Sequence, residues 1–238
     1  MEDSRIPGAW TAPTSPKVAA ERINAFLQRV YGWMCLGLAL TAVVALYVAN
    51  TPAIVSPLAS NPILFLGLAL GELGLVFYLS ARASRLAPAT AAALFAGYAA
   101  LNGVTLSFVF LAYTGQSVAN AFGVTAGMFG AVALYGSLTK RSLTGVGQFA
   151  FMGLIGLVLA SLVGLFWHNS TLQFVIAAVG VIVFTGLAAW DAQRLKQMAL
   201  ATPDGQLGSL AIVGALSLYL DFINLFISLL YFFGERRE

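Results

Sequence analysis

Three acids lie where acids are costly. Glu72, Asp191 and Asp221 each interrupt a long apolar run, whereas Glu2, Asp3, Glu21, Asp204, Glu235 and Glu238 fall in tails or loops. An unpaired charge at bilayer depth costs about 2.5–3.5 kcal/mol on insertion scales, so such residues face a protein interior or an aqueous path. Two facing carboxylates can share a proton, bind a cation or pair with an arginine. The bland alternative is a structural pair that fixes helix register.

The spacing of two of these acids brings them together. Asp191 lies about twelve residues before the turn "TPDG" and Asp221 about sixteen after it, so in an antiparallel helical hairpin both sit roughly 18–25 Å from the turn. The stretch "AQRLKQMALA" between Asp191 and the turn is polar and projects into the cytoplasm, which puts the pair in the cytoplasmic half of the membrane. Asp221 also belongs to a stripe, Ser217, Asp221, Asn224 and Ser228, at i, i+4, i+7 and i+11 on one helical face. Carboxylate, amide and backbone oxygens suit a hard cation such as Ca²⁺. Two carboxylates and an amide cannot fill its coordination shell, so Asp191 and Asp221 form a weak, transient site along a path. Arg82, at the cytoplasmic end of the helix carrying Glu72, is within reach of Asp191 and defines a hypothetical latch.

The elements that must position these residues are membrane helices. Of 238 residues, 60% are hydrophobic and 9% charged, against roughly 25% charged in a soluble domain. Seven apolar runs, near 29–49, 61–81, 88–113, 117–137, 147–167, 171–193 and 209–233, are each long enough to cross about 30 Å of hydrocarbon as a helix. The fold class is therefore all-α, a polytopic membrane protein. Residues 1–28 form a polar tail running into a short amphipathic approach helix, 29–234 a seven-helix membrane domain, and 235–238 a charged tail. Gly67/Gly71 and Gly123/Gly127 have the spacing of close helix packing. Cys35 reads as a small buried hydrophobe. Trp33, Trp167 and Trp190 lie near segment ends, as interface anchors or packing.

Lysine and arginine alternate along the chain. Arg5, Lys17, Arg22 and Arg29 precede the first run, Arg82 and Arg85 follow the second, Lys140 and Arg141 the fourth, and Arg194 and Lys196 the sixth. The intervening loops have none, which puts the N-terminus in the cytoplasm. The seventh run breaks the pattern. If it spans, "GERRE" lies outside with two arginines; if it dips in and returns, the tail is inside. A full span is the favoured reading.

Other chemistries find little support. The one histidine, His168, lies in an external loop. No H-E-x-x-H, no serine with a histidine partner and no metal-ligand cluster is present, and neither aspartate has the G-x-G-D context of intramembrane aspartyl proteases. The expectation is no enzyme, no cofactor beyond Ca²⁺ as a transported or weakly bound ion, and no nucleic-acid partner. A monomer is compatible with the sequence.

"ALSLYLDFINLFISLLYFFG" (215–234) resembles the C-terminal signature of the Bax inhibitor-1/YccA, or transmembrane Bax inhibitor motif, family. "GVTLSFVFLAYTGQSVANAF" (103–122), "GSLTKRSLTGVGQF" and "WDAQRL" are similar to further family segments, and the likeness spans about residues 20–234. It implies seven helices with the last central and wrapped by the other six. It also implies a bacterial inner-membrane protein acting as a pH-sensitive Ca²⁺ leak channel, with Asp191 and Asp221 as its proton-sensing dyad. Glu72 matches a second-helix acid of the family. Arg82 matches an arginine that contacts the dyad, although the family has a longer basic cluster where this chain has "ARASRL". The alternative is a non-conducting interaction protein that modulates membrane proteases or stress proteins. Such a role does not need the stripe Ser217–Asp221–Asn224–Ser228, whereas a conduction path does.

Overall fold

The computed structural model describes residues 15–83, 85–167 and 169–237. The expectations on Glu2, Asp3, Arg5, His168 and Glu238 fall outside them. Among the described residues the chain is all-helical: α1 (Pro16–Ala49), α2 (Pro52–Ser60), α3 (Pro62–Arg82), α4 (Pro88–Ala112), α5 (Gly115–Leu138), α6 (Thr144–Phe166), α7 (Ser170–Ala201) and α8 (Leu207–Phe233). Seven of these are long and apolar enough to cross a membrane, and α2 is the exception.

Proline punctuates the starts. Four helices open with proline in the first turn, Pro16, Pro52, Pro62 and Pro88, where the missing N–H is unpaired in any case. α2 occupies the connection "NTPAIVSPLASNP", which carried only turn signals in the sequence. It is short, buries no residue and has Pro57 inside it, so nothing in its hydrophobic pattern distinguishes it from a loop.

The amphipathic approach segment is not a separate helix. α1 runs unbroken for 34 residues, about 51 Å, and its first turns extend beyond the hydrocarbon. Arg22 anchors that extension: its Nε donates to the Ala199 carbonyl at 2.7 Å, and a second guanidinium N–H donates to Thr202. An arginine is thus placed on the open carbonyls that end α7, where a cation is favoured. On the same helix, Gln193 accepts from the Leu143 N–H and donates to the Arg141 carbonyl, both at 2.8 Å, and Lys196 donates to the Ser137 carbonyl at 3.1 Å. The C-terminal extension of α7 therefore holds the α5–α6 connection and the start of α1.

α8 is the centre. In its most apolar stretch 67% of residues are buried, against at most 39% in any other span. It packs directly on α1, α3, α4, α5 and α7. The remaining span, α6, joins the bundle through α7 alone. α8 crosses fully. Its C-terminal tail pairs with the α4–α5 turn through an antiparallel bridge between Tyr113 and Arg236, so the tail lies at the end opposite to Arg22.

Two packing expectations need correction. Gly67, Gly71, Gly123 and Gly127 touch no other helix; a Cβ at any of them would meet open space. Close approach occurs instead at isolated glycines on crossing points. A Cβ on Gly136 would collide with the backbone carbonyl of Ala189, and one on Gly103 would lie 2.8 Å from the Thr41 carbonyl oxygen. Cys35 is exposed, because it borders an open cavity between α1 and α5 that Phe122, Ala126 and Phe222 also line. Trp190 covers Gly147, leaving no room for a Cβ there, and acts as packing.

Gly136→Ala should therefore lower stability by about 1–3 kcal/mol, the usual cost of forcing atoms into a packed contact. Gly127→Ala, with the same chemistry in open space, should stay within about 0.5 kcal/mol. Unfolding of the two detergent-solubilised variants beside the parent protein checks the difference.

Candidate functional site

The site forms where α7 and α8 pack. Asp191 and Asp221 are both buried, each 6% exposed, and lie within electrostatic range of each other. Asp191 also lies against the Ser217 hydroxyl and within electrostatic range of Arg194. Asp191, Arg194, Gly214 and Ser217 line a small cavity of about 50 Å³. Since Asp191 faces Ser217, Asp221 stands one helical turn further into the membrane. The two acids thus lie within electrostatic range across the packed α7–α8 hairpin.

The environments of the two acids differ. Asp191 has a hydroxyl and a guanidinium near it. Asp221 Oδ2 is fully buried and has no hydrogen-bond partner among the described residues. A buried oxygen left unpaired costs about 1–3 kcal/mol, and more when charged. Such an atom persists only where something keeps it, and buried polar groups of this kind call for a specific explanation.

Beyond Asp221 the stripe continues with its donors turned inward. The Asn224 amide donates to the Leu220 carbonyl and the Ser228 hydroxyl to the Asn224 carbonyl, both at 2.7 Å. The Ser228 hydroxyl proton and one of the two Asn224 amide N–H groups are used within α8, and the side-chain oxygens remain as acceptors. Asn224 and Ser228 border a cavity of about 400 Å³ between α6, α7 and α8. Gly180 on α7 permits the approach of Ser228; a Cβ there would lie 2.6 Å from Ser228 Oγ. An adjoining cavity of about 290 Å³ includes Ser161, Gln173, Ser228 and Tyr231, and the Tyr231 hydroxyl donates to Gln173 Oε1 at 3.2 Å. These cavities exist because α6 leans on α7 and does not close against α8.

Glu72 joins a second polar group on the other side of α8. Its carboxylate accepts from the Thr105 hydroxyl and, at 3.3 Å, from the Asn102 amide. The Tyr219 hydroxyl donates to Asn102 Oδ1 at 2.9 Å and lies 2.7 Å from Thr41 Oγ1. The Tyr219 ring is packed edge-on by Phe95 and Tyr98. Glu72 therefore reaches the central helix, but through Tyr219 and not through the aspartates.

Arg82 is placed elsewhere. It is exposed, its guanidinium 5.7 Å from the Tyr78 ring centroid on its own helix. α3 and α7 share no contact, because α4 and α8 hold α3 away from α7. The cation near Asp191 is Arg194, three residues on along the same helix face, a spacing that was visible in "WDAQRL". Tyr231 was also within reach of sequence reasoning, since it continues the stripe at i+14. The partnership of Tyr219 with Asn102 and Thr41, and of Glu72 with Asn102 and Thr105, was not, because it joins residues from different runs. Among the described residues no group of three or more His, Cys, Asp or Glu side chains comes together to hold a metal ion.

A family model described as "Inhibitor of apoptosis-promoting Bax1" matches residues 23–238, which include both aspartates and every helix except the first turns of α1. The chain belongs to the Bax inhibitor-1 family. It is 47% identical over 230 residues to the inner membrane protein YbhL of Escherichia coli K12, covering 94% of this chain and 98% of that protein. It is 44% identical over 211 residues to an uncharacterised protein of Deinococcus radiodurans, covering 88% and 90% of the two chains. An uncharacterised membrane protein of Streptococcus pyogenes is 43% identical over 218 residues, covering 90% and 94%. With seven spans and this membership, the protein is a multi-pass membrane protein. Its family is not a known family of enzymes.

Ionising Asp221 in the folded state places a second negative charge beside Asp191 with no donor to receive it, whereas the unfolded chain ionises freely. Raising the pH from 5 to 8 should therefore lower the melting temperature of the wild type. Asp221→Asn should abolish much of that fall, the two proteins differing by about 1–3 kcal/mol at the alkaline end. Thermal unfolding across the pH series measures it; parallel curves would remove the burden from Asp221.

Proposed function

We propose that the protein is a pH-sensitive cation leak, chiefly for Ca²⁺, gated by Asp191 and Asp221 and seated in the inner membrane, where the name of YbhL places that relative. The observation that carries this reading is the unpartnered Asp221 oxygen beside a second carboxylate, at the head of an acceptor-lined stripe bordered by cavities. A purely structural pair would be expected to end in hydrogen bonds on both members. A partner-binding role gives no reason for a line of oxygens buried along the central helix.

At low pH one proton held between the two acids removes their repulsion and lets α7 and α8 pack. At high pH both ionise, and the α7–α8 contact loosens where the cavities already separate α6 from α8. Ca²⁺ is cargo in this scheme and not a resident cofactor. Ser217, Asn224 and Ser228 offer oxygens along the way, and solvent completes the shell, consistent with weak, transient binding. The protein works without a cofactor and without catalysing a covalent reaction.

The N-terminus is cytoplasmic in this reading. Its support is that Arg22, Lys196 and the Lys140–Arg141 connection converge on the same end of the bundle, as the distribution of positive charge requires.

Ca²⁺ entry into dye-loaded liposomes holding the purified protein tests the proposal. Wild-type flux should rise between pH 5 and 8, and Asp191→Asn and Asp221→Asn should lose that dependence. Flux no greater than that of empty liposomes at every pH would reject conduction. The aspartates would then be a structural or regulatory pair, and membrane proteases or stress proteins the partners to seek.

A further inference from the structure

We infer that Arg236 stands at the outer mouth of the polar path along α8 and limits cation passage through it; the inference rests on the conduction reading above. The stripe Ser217–Asp221–Asn224–Ser228 does not end at Ser228. Tyr231 extends it on the same face, about 15 Å beyond Asp221, and closes the last cavity together with Gln173 and Ser161. The guanidinium of Arg236 lies 5.7 Å from the Tyr231 ring centroid and 6.0 Å from that of Tyr113. Both distances are those of cation–π contact. A fixed positive charge therefore stands over the residue that closes the path.

The charge is held there by main chain. Besides the bridge between Tyr113 and Arg236, the Thr114 N–H donates to the Glu235 carbonyl at 3.1 Å and the Arg237 N–H to the Ala112 carbonyl at 3.0 Å. The Glu235 N–H donates to Ser117 Oγ at 2.9 Å. These bonds use no side-chain atom of Arg236, so the arginine can be changed while the clasp stays. The placement is also at odds with the rest of the charge pattern. The loop lysines and arginines gather at the opposite end, and Arg236 and Arg237 are the basic residues in the final tail. Positive charge at that end is disfavoured by topology, and here it is fixed at the end of a path proposed for cations.

A fixed cation at the mouth of a low-dielectric passage lowers the local concentration of cations, and acts on a divalent ion with twice the force. This would keep the protein a slow leak even when the aspartates are ionised. The aspartates set when it opens, and Arg236 sets how much passes.

Liposome flux of Ca²⁺ and of K⁺ at pH 8 tests this in the full-length protein, with Arg236→Lys, Arg236→Gln and Arg236→Glu compared with wild type. Arg236→Lys should match wild type, Arg236→Gln should pass more Ca²⁺, and Arg236→Glu should pass about tenfold more. The K⁺ increase should be smaller, and high ionic strength should compress the whole series. A conducting wild type whose flux is unchanged in Arg236→Gln and Arg236→Glu would overturn the inference and leave the aspartate gate standing. An equal rise in all three variants, lysine included, would also overturn it, because the clasp and not the charge would then matter. A wild type that does not conduct at any pH would remove both readings together.

Discussion

Burying α8 is the constraint on which the rest of this structure depends. A helix at the centre of a membrane bundle has neither water nor lipid headgroups to satisfy its polar side chains, so each must find a partner on a neighbouring helix or on its own backbone. α8 carries Tyr219, Asp221, Asn224 and Ser228 within three turns. The helices around it are arranged according to how each of these is supplied.

The supply is unequal on the two sides. Toward α1, α3 and α4 it is complete: Tyr219 joins Thr41, Asn102 and, through Asn102, Glu72, in a cage of aromatic edges. A satisfied network in low dielectric is rigid and specifies one arrangement. Toward α6 and α7 it is incomplete. Asp221 lacks a donor, and cavities stand where α6 fails to reach α8. One face of the central helix is thus fixed and the other is left able to respond. A change in charge at Asp221 acts on the side with space to move, while Tyr219, two residues away, holds the helix in register.

Much of this was legible in the sequence, for a physical reason. Periodicity along one helix is local information, so seven spans, the polar face of α8 and a depth for Asp191 within about one helical turn of Asp221 follow from spacing and a short turn. The full crossing of α8 follows from its length. What spacing along one chain does not encode is the rotation of one helix against another. The Tyr219–Asn102–Glu72 link and the place of Arg82 on Tyr78 depend on that rotation. Gly67/Gly71 and Gly123/Gly127 had the right spacing on the wrong face, because a small residue aids packing only where a second helix arrives. α2 was hidden for a different reason: a nine-residue helix that buries nothing leaves no pattern to read.

The two ends of the bundle are built on one rule with opposite results. At the end that holds the start of α1, Arg22 and Lys196 donate to open backbone carbonyls, so positive charge closes helix ends and ties α1, α5 and α7 together. At the other end the backbone satisfies itself: the tail and the α4–α5 turn exchange N–H and C=O groups across a single bridge. The Arg236 guanidinium is then not needed for any carbonyl and is directed onto two tyrosine rings. A charge that does no capping, at the end opposite to the loop lysines and arginines, has its electrostatic field as its main effect. That field falls on the end of the same helix face that carries Asp221, so the sequence places two acids and a cation on one line along the central helix.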